Sequence, residues 1–107
     1  MELLAQFFAG AFLCNCIPHL VAGLQGAPFP SPFASPPGKS DSYPLTNFLW
    51  GSFNLGAGLG LLVVAPIELG LNLATGIAAG GFLLCGAYMA YHFGKLRHEK
   101  AAEQDKS

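Results

Sequence analysis

The segment SYPLTNFLWGSFNLGAGLGLLVVAPI, residues 42–67, decides the fold because it contains no charged side chain. A second uncharged segment, LGLNLATGIAAGGFLLCGAYMAYHFG, follows at residues 69–94, and a third occupies residues 3–38. A helix needs about 20 consecutive apolar residues to cross the hydrocarbon core of a bilayer, and each segment exceeds that length. The sequence therefore predicts three membrane spans.

The composition of the whole chain agrees with this interpretation. Hydrophobic residues make up 52% of the chain and charged residues 10%, whereas a soluble domain is about 25% charged. A soluble protein this small could not cover so many apolar side chains, but lipid-facing helices should be apolar outside. We predict an all-α integral membrane bundle of three transmembrane helices. The net charge of −1 and the lack of a basic stripe give no support for nucleic-acid binding.

One transmembrane domain is expected, covering residues 1–94. Its predicted elements are spans at about residues 3–24, 44–65 and 71–93, with a proline-rich loop at residues 25–43 and a tight turn at residues 66–70. A polar tail follows at residues 95–107, and a short helical extension into it is plausible. Glu2 is acidic and no basic residue precedes the first apolar run, so we interpret that run as a retained span rather than a secretory signal.

The distribution of basic residues predicts the orientation in the cell membrane. With three spans, the first loop and the tail lie on the same side, and together they hold every Lys and Arg, namely Lys39, Lys95, Arg97, Lys100 and Lys106. The other side carries only the acidic residues Glu2 and Glu68. Since basic loops stay in the cytoplasm, we expect the N-terminus outside and the C-terminus in the cytoplasm.

The proline-rich loop is the most unusual segment of the chain. Proline fixes φ and removes a backbone donor, so residues 25–43 are predicted to be extended and interrupted by turns. Disordered linkers contain few aromatic residues, yet this loop contains Phe29 and Phe33. We expect these two side chains to act as a lid over the helix ends.

Polar side chains within the spans predict a cleft beneath this loop. Asn47, Gly51, Asn54 and Gly58 share one face of the second span by their spacing, so that face should point at protein. In the first span, Pro18 frees a backbone carbonyl between two polar residues that lie four apart. Counting residues from the span ends puts most of the polar groups in the cytoplasmic half, and only Gln6, Asn72 and Thr75 in the outer half. The predicted cleft residues are Asn15, His19, Asn47, Trp50, Asn54, Tyr88 and His92.

Two glycine pairs match the close-packing pattern of membrane helices. Gly56 and Gly60 lie four apart in the second span, and Gly76 and Gly80 lie four apart in the third. The simplest expectation is that they pack these two spans against each other as a hairpin. A homo-oligomer interface is the alternative use.

Several roles for the polar residues stay open at this stage. The asparagines could be interhelical hydrogen-bonding groups, each worth about 0.6 kcal/mol. His19 could carry protons or ligate a metal or haem, because ionisable groups in spans are functional candidates. A haem or metal between His19 and His92 is geometrically conceivable, but nothing beyond the two histidines supports it, so no cofactor and no metal site are predicted. Cys14, Cys16 and Cys85 are expected to be packing residues.

We therefore expect a non-enzymatic membrane module. It would bind a small or amphipathic ligand, or a larger membrane partner, through the polar cleft. Because three helices make a thin bundle, self-association or membership of a larger membrane complex is expected. A small oligomeric transporter and a His19-based membrane enzyme or redox subunit are the alternatives.

Overall fold

The computed structural model describes residues 2–106 and is all-helical apart from one short hairpin-like loop. The helices are α1 (Glu2–Leu24), α2 (Pro44–Val64) and α3 (Leu73–Lys106), and the strands are β1 (Phe29–Pro30) and β2 (Asp41–Ser42). All three helices are long and apolar enough to cross a membrane, which is consistent with a multi-pass membrane protein. The outermost residues of the predicted domain and tail, Met1 and Ser107, lie outside the described part.

Local chemistry explains where each helix begins and ends. After α1, Gly26 adopts φ +69° and closes a Schellman motif in which the Ala27 amide donates to the Ala22 carbonyl at 2.8 Å. α2 begins with Pro44 at its first position, where the missing N–H is not needed. At the start of α3, the Thr75 amide donates to the Asn72 side-chain oxygen at 2.9 Å, which caps the helix.

α1 is the central helix of the bundle, because both other helices pack against it rather than against each other. Near the turn of residues 65–72, α2 and α3 are separated by a groove of about 610 Å³. Gly10 and Leu13 of α1 line this groove together with Leu62 of α2 and Phe82 of α3. We call this end of the molecule the turn end, and the end with residues 25–43 the loop end.

The contact between α1 and α2 uses the face that the sequence predicts. The buried residues of α2 are Asn47, Gly51, Asn54 and Gly58, so that prediction is confirmed. A Cβ atom on Gly51 would lie 2.8 Å from the Leu20 side chain, and one on Gly58 would lie 2.8 Å from the Leu13 side chain. Glycine at these two positions therefore makes room for leucine side chains of α1.

The contact between α1 and α3 is a close approach of two backbones. A Cβ atom on Gly10 would collide with the carbonyl oxygen of Ala78, and a Cβ atom on Gly81 would collide with that of Phe7. These two glycines belong to no repeated small-residue pair in the sequence. They set the distance between the helices because a backbone atom, unlike a side chain, cannot swing aside.

The predicted glycine hairpin between the second and third spans is wrong. A Cβ atom would meet nothing within 4 Å at Gly56, Gly60, Gly76 or Gly80. Five residues separate Gly51, which faces α1, from Gly56, and at about 3.6 residues per turn these two point to nearly opposite sides of α2. Both glycine pairs therefore lie on the outer faces of the bundle, away from α1, and their use in an oligomer stays a prediction.

The loop is more ordered than an extended segment with turns, because β1 and β2 pair antiparallel with Phe29 opposite Ser42. The hydroxyl groups of Ser31 and Ser42 lie 2.6 Å apart across the pair, and both residues are buried. The loop rests on α3, which continues through the predicted tail as one helix. Leu96 of that extension is buried, and Lys100 forms an ion pair of 3.3 Å with Asp41.

Candidate functional site

Asn47 organises the loop end of the bundle. Its side chain is fully buried, and its amide nitrogen lies 2.9 Å from the Phe29 carbonyl, 3.2 Å from the Ser42 carbonyl and 3.3 Å from the Tyr43 carbonyl. The two hydrogens of one amide group are thus shared among three carbonyl oxygens. One side chain in the first turns of α2 therefore holds both strands of the loop.

His19 pairs with the other end of the same amide group. The His19 Nδ1 atom lies 2.7 Å from the Asn47 side-chain oxygen, and His19 is only 3% exposed. Because the Asn47 nitrogen faces carbonyl oxygens, its oxygen must accept, so His19 Nδ1 carries the hydrogen and donates. This hydrogen bond joins α1 to α2, the next helix in the chain, and it fixes the orientation of the His19 imidazole ring.

A second polar contact lies further into the bundle. Asn15 donates its side-chain amide to the Asn54 side-chain oxygen at 2.9 Å, and Asn54 donates in turn to the Trp50 carbonyl at 2.8 Å. Asn54 is 1% exposed. This second contact uses the Trp50 backbone rather than its indole.

Five of the seven predicted cleft residues thus meet along the α1–α2 contact, but they do not form an open polar cleft. His19 and Asn47 bond to each other, and so do Asn15 and Asn54, which leaves the interface sealed. Buried polar groups are tolerated in an apolar medium when they are paired in this way. The arrangement has the geometry of interhelical hydrogen bonding, one of the roles that the sequence left open.

The other two predicted cleft residues lie on α3, and one of them, His92, contacts the loop from a different side. The His92 Nε2 atom is 2.9 Å from the Gly38 carbonyl, so this ring helps to hold the loop. Tyr88 is 67% exposed and stacks on His92, with ring centroids 5.9 Å apart. Tyr88 therefore lies outside the polar cluster.

The rings of Phe29 and Phe93 occupy the space between the two histidines. Phe29 lies 5.4 Å from His19 and 4.7 Å from Phe93, and Phe93 lies 5.1 Å from His92, measured between ring centroids. This aromatic chain occupies the position that a haem or metal between His19 and His92 would need. Among residues 2–106, no group of three or more His, Cys, Asp or Glu side chains is arranged to hold a metal ion.

The two predicted lid residues have different positions. Phe29 covers His19 at the end of the polar contact, and its carbonyl accepts from Asn47. Phe33 is 67% exposed and stands over Trp50, with ring centroids 5.3 Å apart in an edge-to-face arrangement. Phe29 is thus half-buried against His19, and Phe33 is part of the surface.

An open recess lies beside the polar cluster, on the outer surface of α2. It has a volume of about 480 Å³ and is lined by Phe33, Thr46, Leu49, Trp50 and Phe53. Trp50 and Phe53 stack with ring centroids 5.6 Å apart, which makes one wall a flat aromatic surface. Thr46 supplies the single hydroxyl group of the lining.

Sequence reasoning missed Thr46, Leu49 and Phe53 as members of a site. The available signal was the spacing of three and four residues between Thr46, Leu49 and Phe53, which puts them on one face of α2. Phe33 joins them only through the folding of the loop, which no local pattern specifies.

Comparison of this chain with protein-family models, with curated proteins and with solved structures finds no match in any of the three.

Proposed function

We propose that this chain is a small, non-enzymatic integral membrane protein that binds an amphipathic ligand in the recess beneath Phe33. Its N-terminus is outside and its C-terminus in the cytoplasm, so the recess opens near the cytoplasmic surface of the membrane. The observation that carries this proposal is the juxtaposition of an open aromatic recess with a sealed polar contact. A polar solute has no open polar site along the α1–α2 contact, whereas an apolar chain has an aromatic wall to lie on.

The composition of the recess supports an amphipathic occupant rather than a fully apolar one. Trp50 and Tyr43 lie near the start of α2, where aromatic rings prefer the membrane–water boundary. An acyl chain would lie against Leu49 and Phe53, and a polar group would lie toward Thr46 and the loop. The volume of about 480 Å³ falls within the range typical of small-molecule sites.

The only tryptophan of the chain makes this proposal directly measurable. Trp50 lines the recess, so its fluorescence reports on the occupant. We expect a lysophospholipid with a brominated acyl chain to quench Trp50 in a saturable manner when the protein is in nanodiscs of unbrominated lipid. Phe33→Ala should weaken this binding about tenfold, because it removes one aromatic wall worth about 1.4 kcal/mol.

Phe8→Ala is the matched control, since Phe8 is an exposed phenylalanine of α1 that does not line the recess. It should leave the saturation curve unchanged. Quenching that rises linearly with the concentration of brominated lipid, and equally in the wild type and Phe33→Ala, would contradict the proposal. Such quenching would come from ordinary contact between Trp50 and the lipids of the bilayer.

A second candidate function, a subunit that associates with a second copy of itself, is favoured by the glycine pairs on the outer faces. Gly56 and Gly60 on α2 and Gly76 and Gly80 on α3 have empty space where a side chain would be. Bare glycines on lipid-facing helix surfaces let another helix approach closely.

The mass of the protein in native lipid tests this second candidate. Gly60→Leu and Gly76→Leu should each shift the distribution from oligomer toward monomer. Gly94→Leu is the control, because Gly94 is equally open but lies beyond the predicted end of the third span. A wild-type protein that is monomeric at every lipid-to-protein ratio would contradict self-association.

A further inference from the structure

A small polar recess lies where the loop meets the start of the α3 extension. It has a volume of about 80 Å³ and is lined by Lys39 of the loop and by His92, Lys95, Leu96 and Glu99 of α3. The four α3 residues follow one another at offsets of three, four and seven from the first, so they share one face of that helix. Lys39 reaches this face only because the loop folds onto α3. Two ammonium groups from distant parts of the chain therefore border one recess.

Hydrogen bonds fix the loop side of the recess. The His92 Nε2 atom lies 2.9 Å from the carbonyl oxygen of Gly38, the residue before Lys39. The Gly38 amide donates to the Ser31 carbonyl at 2.9 Å. The Lys39 amide donates to the Pro36 carbonyl at 3.2 Å. The backbone that carries Lys39 is thus held in place before any ligand arrives, which lowers the entropic cost of binding one.

The charges around the recess leave it net positive. With the imidazole uncharged, two lysines and one glutamate sum to a net charge of +1. Among the side chains of residues 2–105, neither Lys39 nor Lys95 has a carboxylate within ion-pair distance, although Glu99 lines the same recess. Each ammonium group has three N–H donors, so both lysines can donate hydrogen bonds to an anion.

In the membrane placement proposed above, this recess lies at the depth of the lipid phosphates. Lys95 follows Phe93, the predicted end of the third span, by two residues, which is about 3 Å along the helix axis. Tyr88 and Tyr91 lie in the last turns of the same span, where aromatic rings prefer the membrane–water boundary. The ammonium groups are therefore next to the head groups rather than out in the cytoplasm.

We infer that this recess binds the phosphodiester of an anionic phospholipid through the ammonium groups of Lys39 and Lys95. A phosphodiester carries one negative charge, which balances the recess, and its oxygens accept hydrogen bonds from ammonium groups. Basic pockets at the cytoplasmic side of membrane helices bind such head groups, whereas a zwitterionic head group brings no net charge. The inference rests on the membrane placement of the proposed function but not on the ligand beneath Phe33, because the two recesses share no residue.

Lys100 provides a matched contrast on the same helix. It carries the same charge as Lys95, but its ammonium group is paired with Asp41 at 3.3 Å and does not line this recess. It follows Phe93 by seven residues, which is about 10 Å along the helix axis. Replacing any of these lysines by glutamine lowers the net charge by one, so a general effect of charge would be equal in all the variants.

The test is native mass spectrometry of the purified full chain, titrated in detergent with phosphatidylglycerol or with phosphatidylcholine of identical acyl chains. We expect one phosphatidylglycerol per chain to bind more tightly than phosphatidylcholine. Lys39→Gln and Lys95→Gln should each weaken this binding about fivefold, the factor for one lysine near an anionic head group. Lys100→Gln should leave it unchanged. Equal affinity for the two lipids, or an equal loss in Lys100→Gln, overturns the inference.

Two further arms separate this phospholipid from other occupants. Inorganic phosphate should not displace phosphatidylglycerol, because it has no acyl chain to hold it at the depth of the recess. Displacement would overturn the lipid as the occupant in favour of soluble phosphate. Phe33→Ala should leave the ratio of the two lipid affinities unchanged, since only the head group differs between them. A changed ratio would assign the discrimination to the aromatic recess, whereas failure of the ligand proposed there would appear in Trp50 quenching alone.

A second measurement uses only the wild type. Lys39 and Lys95 are exposed, so a water-soluble acetylating reagent reaches both of them. Phosphatidylglycerol should slow the acetylation of these two lysines relative to phosphatidylcholine, read by mass spectrometry of peptides, and leave the rate at Lys100 unchanged. Equal protection of all three lysines, or protection of none, contradicts a site between the loop and the α3 extension.

Discussion

The two contacts that α1 makes within the bundle are built from different chemistry. Toward α2, the pairs His19–Asn47 and Asn15–Asn54 supply directional hydrogen bonds. Toward α3, Gly10 and Gly81 bring backbone against backbone. Hydrogen bonds specify which residues face each other, whereas backbone contact specifies how far apart the helices lie. One central helix therefore uses two different means to fix its neighbours.

The largest expected effect falls on the α1–α3 contact. Gly81→Val would put a side chain into the Phe7 carbonyl, and because backbone cannot move aside, we expect a loss of about 3 kcal/mol in the free energy of unfolding. Equilibrium unfolding in mixed micelles measures this loss.

The neighbouring residue is the matched control for this change. Gly80 has nothing within 4 Å of an added Cβ atom, so Gly80→Val should change the free energy of unfolding by no more than about 0.5 kcal/mol. Equal losses in the two variants would show that α3 packs on α1 through a different face.

The next largest effect falls on the α1–α2 contact at the loop end. Asn47→Leu removes the side-chain partner of the His19 N–H and of the Phe29 and Ser42 carbonyls, so we expect a loss of about 2 kcal/mol. Hydrogen exchange of the loop amides should accelerate, because the same side chain holds β1 and β2.

Asn72→Ala separates this loop effect from the general cost of losing an asparagine. Asn72 caps α3 at the turn end, and removing a cap costs about 1 kcal/mol. Its loss should leave exchange in residues 25–43 unchanged. Faster loop exchange in Asn72→Ala, or none in Asn47→Leu, would contradict the role assigned to Asn47.

A smaller effect is expected from the second hydrogen bond of the same contact. A double-mutant cycle of Asn15→Leu and Asn54→Leu should give a coupling energy of about 0.6 kcal/mol, the average for interhelical bonds in membranes. The same free-energy measurement applies to all three variants. A coupling near zero would mean that the two asparagines act independently, and the α1–α2 contact would then depend on shape alone.

The smallest effect belongs to the ion pair between the loop and the α3 extension. Lys100 and Asp41 are both partly exposed, with side chains 38% and 48% accessible. Lys100→Ala should therefore cost less than about 0.5 kcal/mol and the loss should shrink as salt is added. A large loss of unfolding free energy that does not depend on salt would contradict this minor role for the ion pair between Lys100 and Asp41.

The helices and the buried face of α2 could be predicted because their signals are local. Uncharged segments of sufficient length predict the spans, and the offsets of Asn47, Gly51, Asn54 and Gly58 define one side of a helix whatever its partner is. The predicted boundaries differ from the observed ones by at most two residues, except at the end of α3. There the polar tail continues the helix, because its mixed charges are compatible with a solvated helix.

The partner of each face could not be predicted, because a small-residue pattern does not say which helix it meets. Gly56–Gly60 and Gly76–Gly80 match the packing pattern, yet they face outward, while Gly10 and Gly81, which belong to neither pair, make the close approach. The predicted glycine hairpin was wrong because it paired α2 with α3, the two helices joined by the shortest connection. Topology, with α1 between α2 and α3, overrides that proximity.

The recess could not be predicted for a related reason. Its wall combines α2 with Phe33, and the position of Phe33 depends on Asn47 binding the Phe29 carbonyl, 18 residues earlier in the chain. Proline content indicates an extended segment but not where it lies.

The central position of α1 has a consequence for biogenesis. In the membrane protein proposed above, synthesis from the N-terminal side would bring α1 into the bilayer before either of the helices that pack on it. The α1–α2 pair can assemble as soon as α2 follows, but the face with Gly10 stays open to lipid until α3 has been synthesised. A nascent chain arrested before α3 should therefore expose the Gly10 surface to quality-control factors that recognise unassembled membrane helices.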